Sequence, residues 1–264
     1  MKKYNLSIVQ KIALAGIFIV LVALFQKVFA VNYIPVVPFL RVSFGGPALI
    51  IFSSILLGPW FGLLVGAASD LIGFFIFDPR ISSPYPMFQI TFIYALLGFG
   101  SYFIFKLVNK IKSSKKIFLI EIIVFSLLFL AVTFFIIFSD SIVLYNKAQI
   151  VTKDMKIWLP IVSFILLGLL ILITYLIDKH FKKRNINIST YHISFSCFLI
   201  ELSIMLVFGS LMKYWAFQIY YPTPFYAIFI LQLMVGMFNI PFNTFLLSYI
   251  MFLTDKIVKP REIS

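Results

Sequence analysis

Long apolar runs, broken by short polar stretches, make up most of this chain. An α-helix rises about 1.5 Å per residue, so about 20 apolar residues cross the hydrocarbon of a bilayer. Eight stretches meet or approach that length: roughly 8–31, 43–57, 60–77, 88–109, 117–138, 157–179, 192–212 and 226–253. The second and third are short and are joined by Gly58-Pro59. Within each stretch the apolar residues are continuous rather than confined to one face, the pattern of a membrane span. The pattern predicts an all-α fold: one membrane domain over residues 1–264, a polytopic bundle of about eight transmembrane helices.

Composition agrees. Hydrophobic residues are 62% of the 264 and charged residues only 12%, against about a quarter charged in soluble domains. The formal net charge of +13 would suggest a nucleic-acid partner on a soluble protein. Here the basic residues lie in loops, and topology accounts for them; no nucleic-acid partner is expected. With the N-terminus in the cytoplasm, 15 of the 22 basic residues fall on the cytoplasmic side, among them Lys106, Lys110, Lys112, Lys115, Lys116, Lys179, Lys182 and Lys183. The other side holds seven: Lys27, Arg41, Arg80, Lys147, Lys153, Lys156 and Lys213. This bias predicts both termini in the cytoplasm, and an odd number of spans would break it. The first run is long and no small-x-small cleavage site precedes Asn32, so it reads as an uncleaved span rather than a signal peptide. The single cysteine, Cys197, excludes an internal disulfide and a thiolate metal cluster. A lysine-rich bias over arginine, with abundant Ile, Phe and Asn, points weakly to a bacterial cytoplasmic membrane.

Candidate chemistry is sparse. Gly58, Gly62 and Gly66 lie four apart, a spacing that lines one helix face and admits a neighbouring backbone. Asp70 continues the row. A carboxylate in a span must face protein, water or a partner, so Asp70 is expected either to bond a neighbouring helix or to serve a functional site. Glu201 lies deep in a span as a helix–helix partner or a pocket residue; Glu121 sits near the basic loop 106–116, where it is expected to pair. The loops at 78–88 and 213–225 are rich in proline and aromatics, which suits either interfacial anchoring or closure over a flat ligand. No metal site, cofactor or catalytic residue is indicated.

Three segments carry a resemblance. Leu40-Arg41-Val42-Ser43-Phe44-Gly45, then Leu57-Gly58-Pro59-Trp60-Phe61-Gly62 running on to Ser69-Asp70-Leu71-Ile72-Gly73, then Pro84-Tyr85-Pro86-Met87-Phe88-Gln89-Ile90-Thr91, resemble in order and spacing the first half of the folate-type substrate-binding subunits, or S components, of energy-coupling-factor (ECF) importers. Asn239-Ile240-Pro241-Phe242-Asn243-Thr244 resembles that family's last helix. The resemblance covers about 1–110 well and 192–255 loosely. Members of the family usually have six helices, so residues 112–190 look like an inserted helix pair. Upstream of the proline segment the family tends to carry an arginine; this chain reads Ile230-Leu231-Gln232-Leu233-Met234.

The resemblance implies a protein that captures a vitamin or related micronutrient, folate-like first, from outside the cell. It then docks on an energising module made of a membrane coupling subunit and two ATPases. No Gly-x-x-x-x-Gly-Lys-Ser/Thr stretch occurs in the chain, so energy comes from a partner or an ion gradient. Small residues of the first helix, Ala13 and Gly16, three apart, are the expected docking face. The expected ligand site lies at the outer helix ends and loops. Arg41 would pair a ligand carboxylate in bidentate fashion, and Lys213 would add a second positive charge. Tyr85, Trp215 and Tyr221 would stack on a ring, and Gln89 and Asn239 would bond heterocycle edges. Two rival classes carry other expectations. A stand-alone ion-coupled secondary transporter would use Asp70 or Glu201, although no repeat relates the two halves. An intramembrane enzyme would need clustered polar catalytic groups, and the chain has only His180 and His192, with no paired acids.

Overall fold

The computed structural model describes residues 6–31, 42–43, 45–77, 87–144, 147–183, 189–220 and 222–258. The chain folds as an all-α polytopic helix bundle, a multi-pass membrane protein. In chain order its elements are α1 (Ile8–Lys27), β1 (Ala30–Val31), β2 (Val42–Ser43), α2 (Gly46–Leu57), α3 (Pro59–Phe77), α4 (Phe88–Val108) and α5 (Ser114–Phe138). They continue as β3 (Ser141–Leu144), β4 (Lys147–Ile150), α6 (Lys153–Lys183), α7 (Thr190–Ile200), a π-helical segment (Glu201–Phe208), α8 (Gly209–Tyr220) and α9 (Phe225–Val258). α7, the π-helical segment and α8 form one continuous span, Thr190–Ile219. Among the described residues, seven helices are long and apolar enough to cross a membrane, and α2 is a shorter apolar helix. The two small antiparallel hairpins, β1–β2 and β3–β4, were not expected from the apolar pattern. Both sit between spans.

Local sequence sets the helix ends. Ser7 Oγ accepts the Gln10 N–H, and the Gln10 side chain accepts the Ser7 N–H, so α1 opens with two of its free donors satisfied. Eleven of the twelve residues of α2 are buried. At about 1.5 Å per residue it is too short to face lipid on its own, and it packs inside α1, α3, α4 and α9. Gly58 separates α2 from α3 with φ at +102° and an open space around its Cα, a backbone conformation that disfavours any side chain. Pro59 follows at the first position of α3, where its missing N–H costs nothing.

Successive spans alternate in direction. Lys27 at the end of α1 packs against Gly73 near the end of α3, and Gln26 packs against Gly46 at the start of α2. Phe129 of α5 meets Phe164 of α6, and Phe181 near the end of α6 stacks on Phe252 near the end of α9. One end of the bundle therefore gathers the end of α4, the start of α5 and the end of α6, with their lysines. The start of α1 and the end of α9 lie at that same lysine-rich end, in keeping with an even number of traversals.

Two apolar cores share a spine. One joins α1–α4 through Phe18, Ile51 and Leu97 to Ile200 and Leu247. The other joins α5 and α6 through Phe125, Phe129 and Leu159 to Phe198 and Met237. Helices α7 and α9 contribute to both. The helices of the expected insertion, α5 and α6, pack chiefly on α7 and α9. Outward faces carry large exposed apolar side chains such as Ile12, Ile17, Leu64, Ile123, Leu127, Phe164 and Leu172. A soluble monomer does not expose a belt of that extent; lipid is the matching solvent.

The α3–α4 contact is the closest in the bundle. A Cβ on Gly62 would lie 2.6 Å from the Gly98 carbonyl oxygen, and one on Gly66 would overlap the Tyr94 carbonyl. Backbone therefore meets backbone here, as the four-residue glycine spacing predicts for Gly62 and Gly66. Gly58 has a separate task, the turn into α3.

Candidate functional site

The span from Thr190 to Ile219 changes geometry in its middle. From Glu201 to Phe208 the helix is π-type, and the Gly209 N–H bonds back to the Ile204 carbonyl, five residues earlier. Such segments are rare and concentrate at functional sites, because the widened turn re-aims side chains. Across from it, α9 carries Pro241 inside the helix. Proline lacks an N–H, so the i→i−4 ladder breaks there. Two facing helices are thus irregular at the same level.

A cavity lies between them, closed on a third side by α5. Its free interior is about 30 Å³, room for a water or two. Phe125 and Leu128 of α5, Phe198 of α7, and Glu201, Leu202 and Leu206 of the π-helical segment form two walls. Gln232, Leu233, Gly236, Met237 and Ile240 of α9 form the third. Gly236 has no Cβ; one built there would lie 3.3 Å from Glu201 Cγ. The carboxylate thus approaches the α9 backbone closely.

A buried polar stripe on α9 runs past the cavity, and only its Gln232 lines it. Gln232, Asn239 and Asn243 are all buried, and their spacings of seven and four set them on one helix face. Asn239 Nδ2 donates to Glu201 Oε1 at 3.4 Å. The side-chain oxygens of Gln232, Asn239 and Asn243 are buried without a hydrogen-bond partner. Lys213 of α8 couples electrostatically to Glu201 but does not line the cavity. An acid at the centre of a span costs about 2.5–3.5 kcal/mol on the insertion scale. Asn239 and Lys213 offset part of that, and Glu201 is both the helix–helix partner and the pocket residue.

Two further acids are tied to neighbouring helices. Thr91 Oγ1 donates to Asp70 Oδ2 at 2.7 Å, which joins α4 to α3 about one turn beyond the Gly66–Tyr94 contact, and Lys27 adds its positive charge. Ser194 Oγ donates to Glu121 Oε1 at 2.7 Å. Glu121 is fully buried between α5 and α7 rather than paired with the lysines of 106–116. The packing of α5 on α7 turns it inward, while those lysines lie on the loop and at the helix start. His192 bonds the Ile111 carbonyl through Nε2 at 2.8 Å, and His180 packs edge-on against Phe252.

Of the residues expected to bind ligand, Asn239 bonds Glu201 and Lys213 lies within electrostatic reach of it, and neither lines the cavity. Gln89 is buried near the start of α4 and does not line the cavity. Trp215 is 55% exposed on α8, as an indole anchoring at the membrane interface would be. Arg41, Tyr85 and Tyr221 lie outside the described residues. Ala13 and Gly16 are exposed on the outer face of α1, and a Cβ on Gly16 would meet nothing within 4 Å. Gln232, Phe125, Phe198 and Met237 were not foreseen as site residues. The signal for Gln232 was present: it stands seven residues before Asn239 in an otherwise apolar helix. Among the described residues, no three of His, Cys, Asp and Glu come together as metal ligands would. Compared with protein-family models, with curated proteins and with solved structures, the chain matches none.

Proposed function

We propose that this protein is the substrate-binding membrane subunit of an ECF-type importer, capturing a vitamin-sized nutrient from outside a bacterial cytoplasmic membrane. The observation that carries this reading is the cavity walled by the π-helical segment, α9 and α5. It is largely apolar with few polar groups, the usual make-up of a small-ligand site, and α5 and α9 would have to part for a vitamin to enter its narrow interior. The chain carries no phosphate-binding loop of its own, which fits a capture subunit energised by partner ATPases. The motifs at 40–45, 57–73 and 84–91 support the same family. The smooth outer face of α1 at Ala13 and Gly16 is the docking surface for the coupling subunit. The inserted pair supplies Phe125 and Leu128 to the cavity, so its role is to shape the ligand site. Folate is the first candidate among the vitamins. The test is uptake of labelled vitamins by cells expressing this chain with and without an energising module. Uptake that requires the ATPases supports the reading; uptake that proceeds without them overturns it.

One observation favours a second reading, an ion-coupled secondary transporter. Glu201 places an acid beside the cavity with an amide and a lysine in attendance, as proton- or sodium-coupled carriers require. Accumulation that collapses with a protonophore while ATP is held constant would favour it.

A further inference from the structure

Polar side chains continue inward from Glu201, away from the cavity and toward the lysine-rich end of the bundle. Along α7, Thr190, Ser194, Cys197 and then Glu201 are spaced four, three and four apart, which sets them on one helix face. On α9, Asn239, Asn243, Thr244 and Ser248 follow a similar rhythm. All eight are buried, and α7 packs on α9. The two rows meet: Asn239 bonds Glu201, and Thr244 lies beside the Cys197 thiol. Glu121 of α5 enters this seam from the side, with Ser194 donating to its Oε1. Cys197 stands between the two acids, within electrostatic reach of both. From the first residue of α7 to Glu201 the seam is about 16 Å long at helical rise.

The seam carries more hydrogen-bonding capacity than the protein meets. Thr190 Oγ1, Ser248 Oγ, Asn243 Oδ1, Asn239 Oδ1 and Glu121 Oε2 are all buried with no partner. A buried polar atom left unserved forfeits its hydration, and ordered water is what usually serves such atoms in native interiors. Groups on one helix face recur about every 5.4 Å, the reach of two hydrogen bonds through one water. That spacing suits a file of waters. A metal cation would need several oxygens converging on one point, and these are strung out along the helices.

We infer that the α7–α9 seam is a hydrated proton path joining the lysine-rich end of the bundle to Glu201, with Glu121 as its relay. Acids aligned inside a span are the usual parts of such relays. Each hop breaks one O–H bond as the next forms. A proton arriving past Thr190 is taken by the carboxylate of Glu121 at Oε2, the oxygen that Ser194 leaves open, and is passed on to the carboxylate of Glu201. Lys213 of α8 is the charged group acting on Glu201, and Asn239 holds the acid in place. The path goes beyond both functional readings above, since it serves whether partner ATPases or an ion gradient drive uptake.

Cys197 is the chain's one cysteine, so its S–H stretch, in an infrared window free of other protein bands, reports on the seam without a label. The full chain in lipid nanodiscs is transferred to D2O. The Cys197 proton is expected to exchange faster than the backbone amides of the spans, although the residue is only 2% exposed. The double variant Thr190→Val with Ser248→Ala dries the lysine-rich entrance and is expected to slow that exchange about tenfold. Both changes remove unpartnered buried oxygens, so the melting temperature should hold or rise. Gln232→Leu dries the cavity side and should leave the exchange rate as it is. A pH step on the same sample should raise a carboxyl band that Glu201→Gln removes. The double variant and Glu121→Gln should each delay that band about tenfold, and Glu121→Gln should leave the thiol exchange unchanged, because it removes the relay and keeps the water. A thiol as slow to exchange as the surrounding amides, a rate indifferent to the double variant, or a rate slowed by Gln232→Leu instead overturns the inference. So does the absence of a Glu201 band, or a Glu201 band that Glu121→Gln does not delay.

Discussion

Asn239 on α9 holds the carboxylate of Glu201 across the helix interface, its Nδ2 3.4 Å from Oε1, at the level where one helix widens into a π-turn and the other contains a proline. This pair fixes the acid in place beside the cavity. Removing the amide leaves a buried carboxylate with one fewer donor. Hydrogen bonds between membrane helices contribute about 0.6 kcal/mol on average and about 1.7 at most. Asn239→Leu is therefore expected to lower stability by about 1 kcal/mol, read as a fall in melting temperature in detergent. Equal or greater stability would show that the bond does not matter.

The α3–α4 contact predicts a steeper loss. Any side chain at Gly66 or Gly98 would strike the opposing backbone, which cannot move aside as a flexible side-chain end can. Gly66→Val and Gly98→Val should abolish a monodisperse, cooperatively melting protein. Gly168→Ala, where a Cβ meets nothing within 4 Å, should be tolerated or stabilise by about 0.5–1 kcal/mol, since glycine weakens a helix interior by that amount. Normal chromatographic behaviour of the Gly66 variant would contradict the described packing.

Thr91 and Asp70 make a second interhelical bond, at 2.7 Å. A double-mutant cycle of Thr91→Val and Asp70→Asn isolates their coupling. A coupling of about 1 kcal/mol is expected, within the range seen between membrane helices. Additive effects on the unfolding free energy would mean the pair is not energetically linked.

The docking surface proposed on α1 separates binding from transport. Ala13 and Gly16 face outward, so Ala13→Trp with Gly16→Trp should leave ligand affinity and melting temperature unchanged. Energised uptake should fall by tenfold or more, because bulky rings keep the coupling subunit from a close approach. Full uptake by this variant would remove α1 from the docking face.

Much of the fold was legible in the apolar pattern. Eight stretches, including the short pair split at Gly58-Pro59, correspond to the seven long apolar spans and the short helix α2, because hydropathy is a local property summed over contiguous residues and the solvent is lipid throughout. The lysine bias matched the alternation of the spans for the same reason. Spacing also foretold that Gly62, Gly66 and Asp70 share a face, since helix periodicity fixes that before any packing occurs. The site was less legible. Asn239 and Glu201 stand 38 residues apart, and nothing local tells which way each helix is turned about its axis. Helix rotation and register are set by which faces pack, so only the tertiary structure decided that Glu201 meets Asn239 and shares a void with Gln232, that Glu121 meets Ser194 rather than the nearby lysines, and that α5 closes the cavity. The π-turn belongs to that second category too: its residues, Glu201 to Phe208, read as ordinary apolar helix, and their widened geometry shows only in the folded bundle.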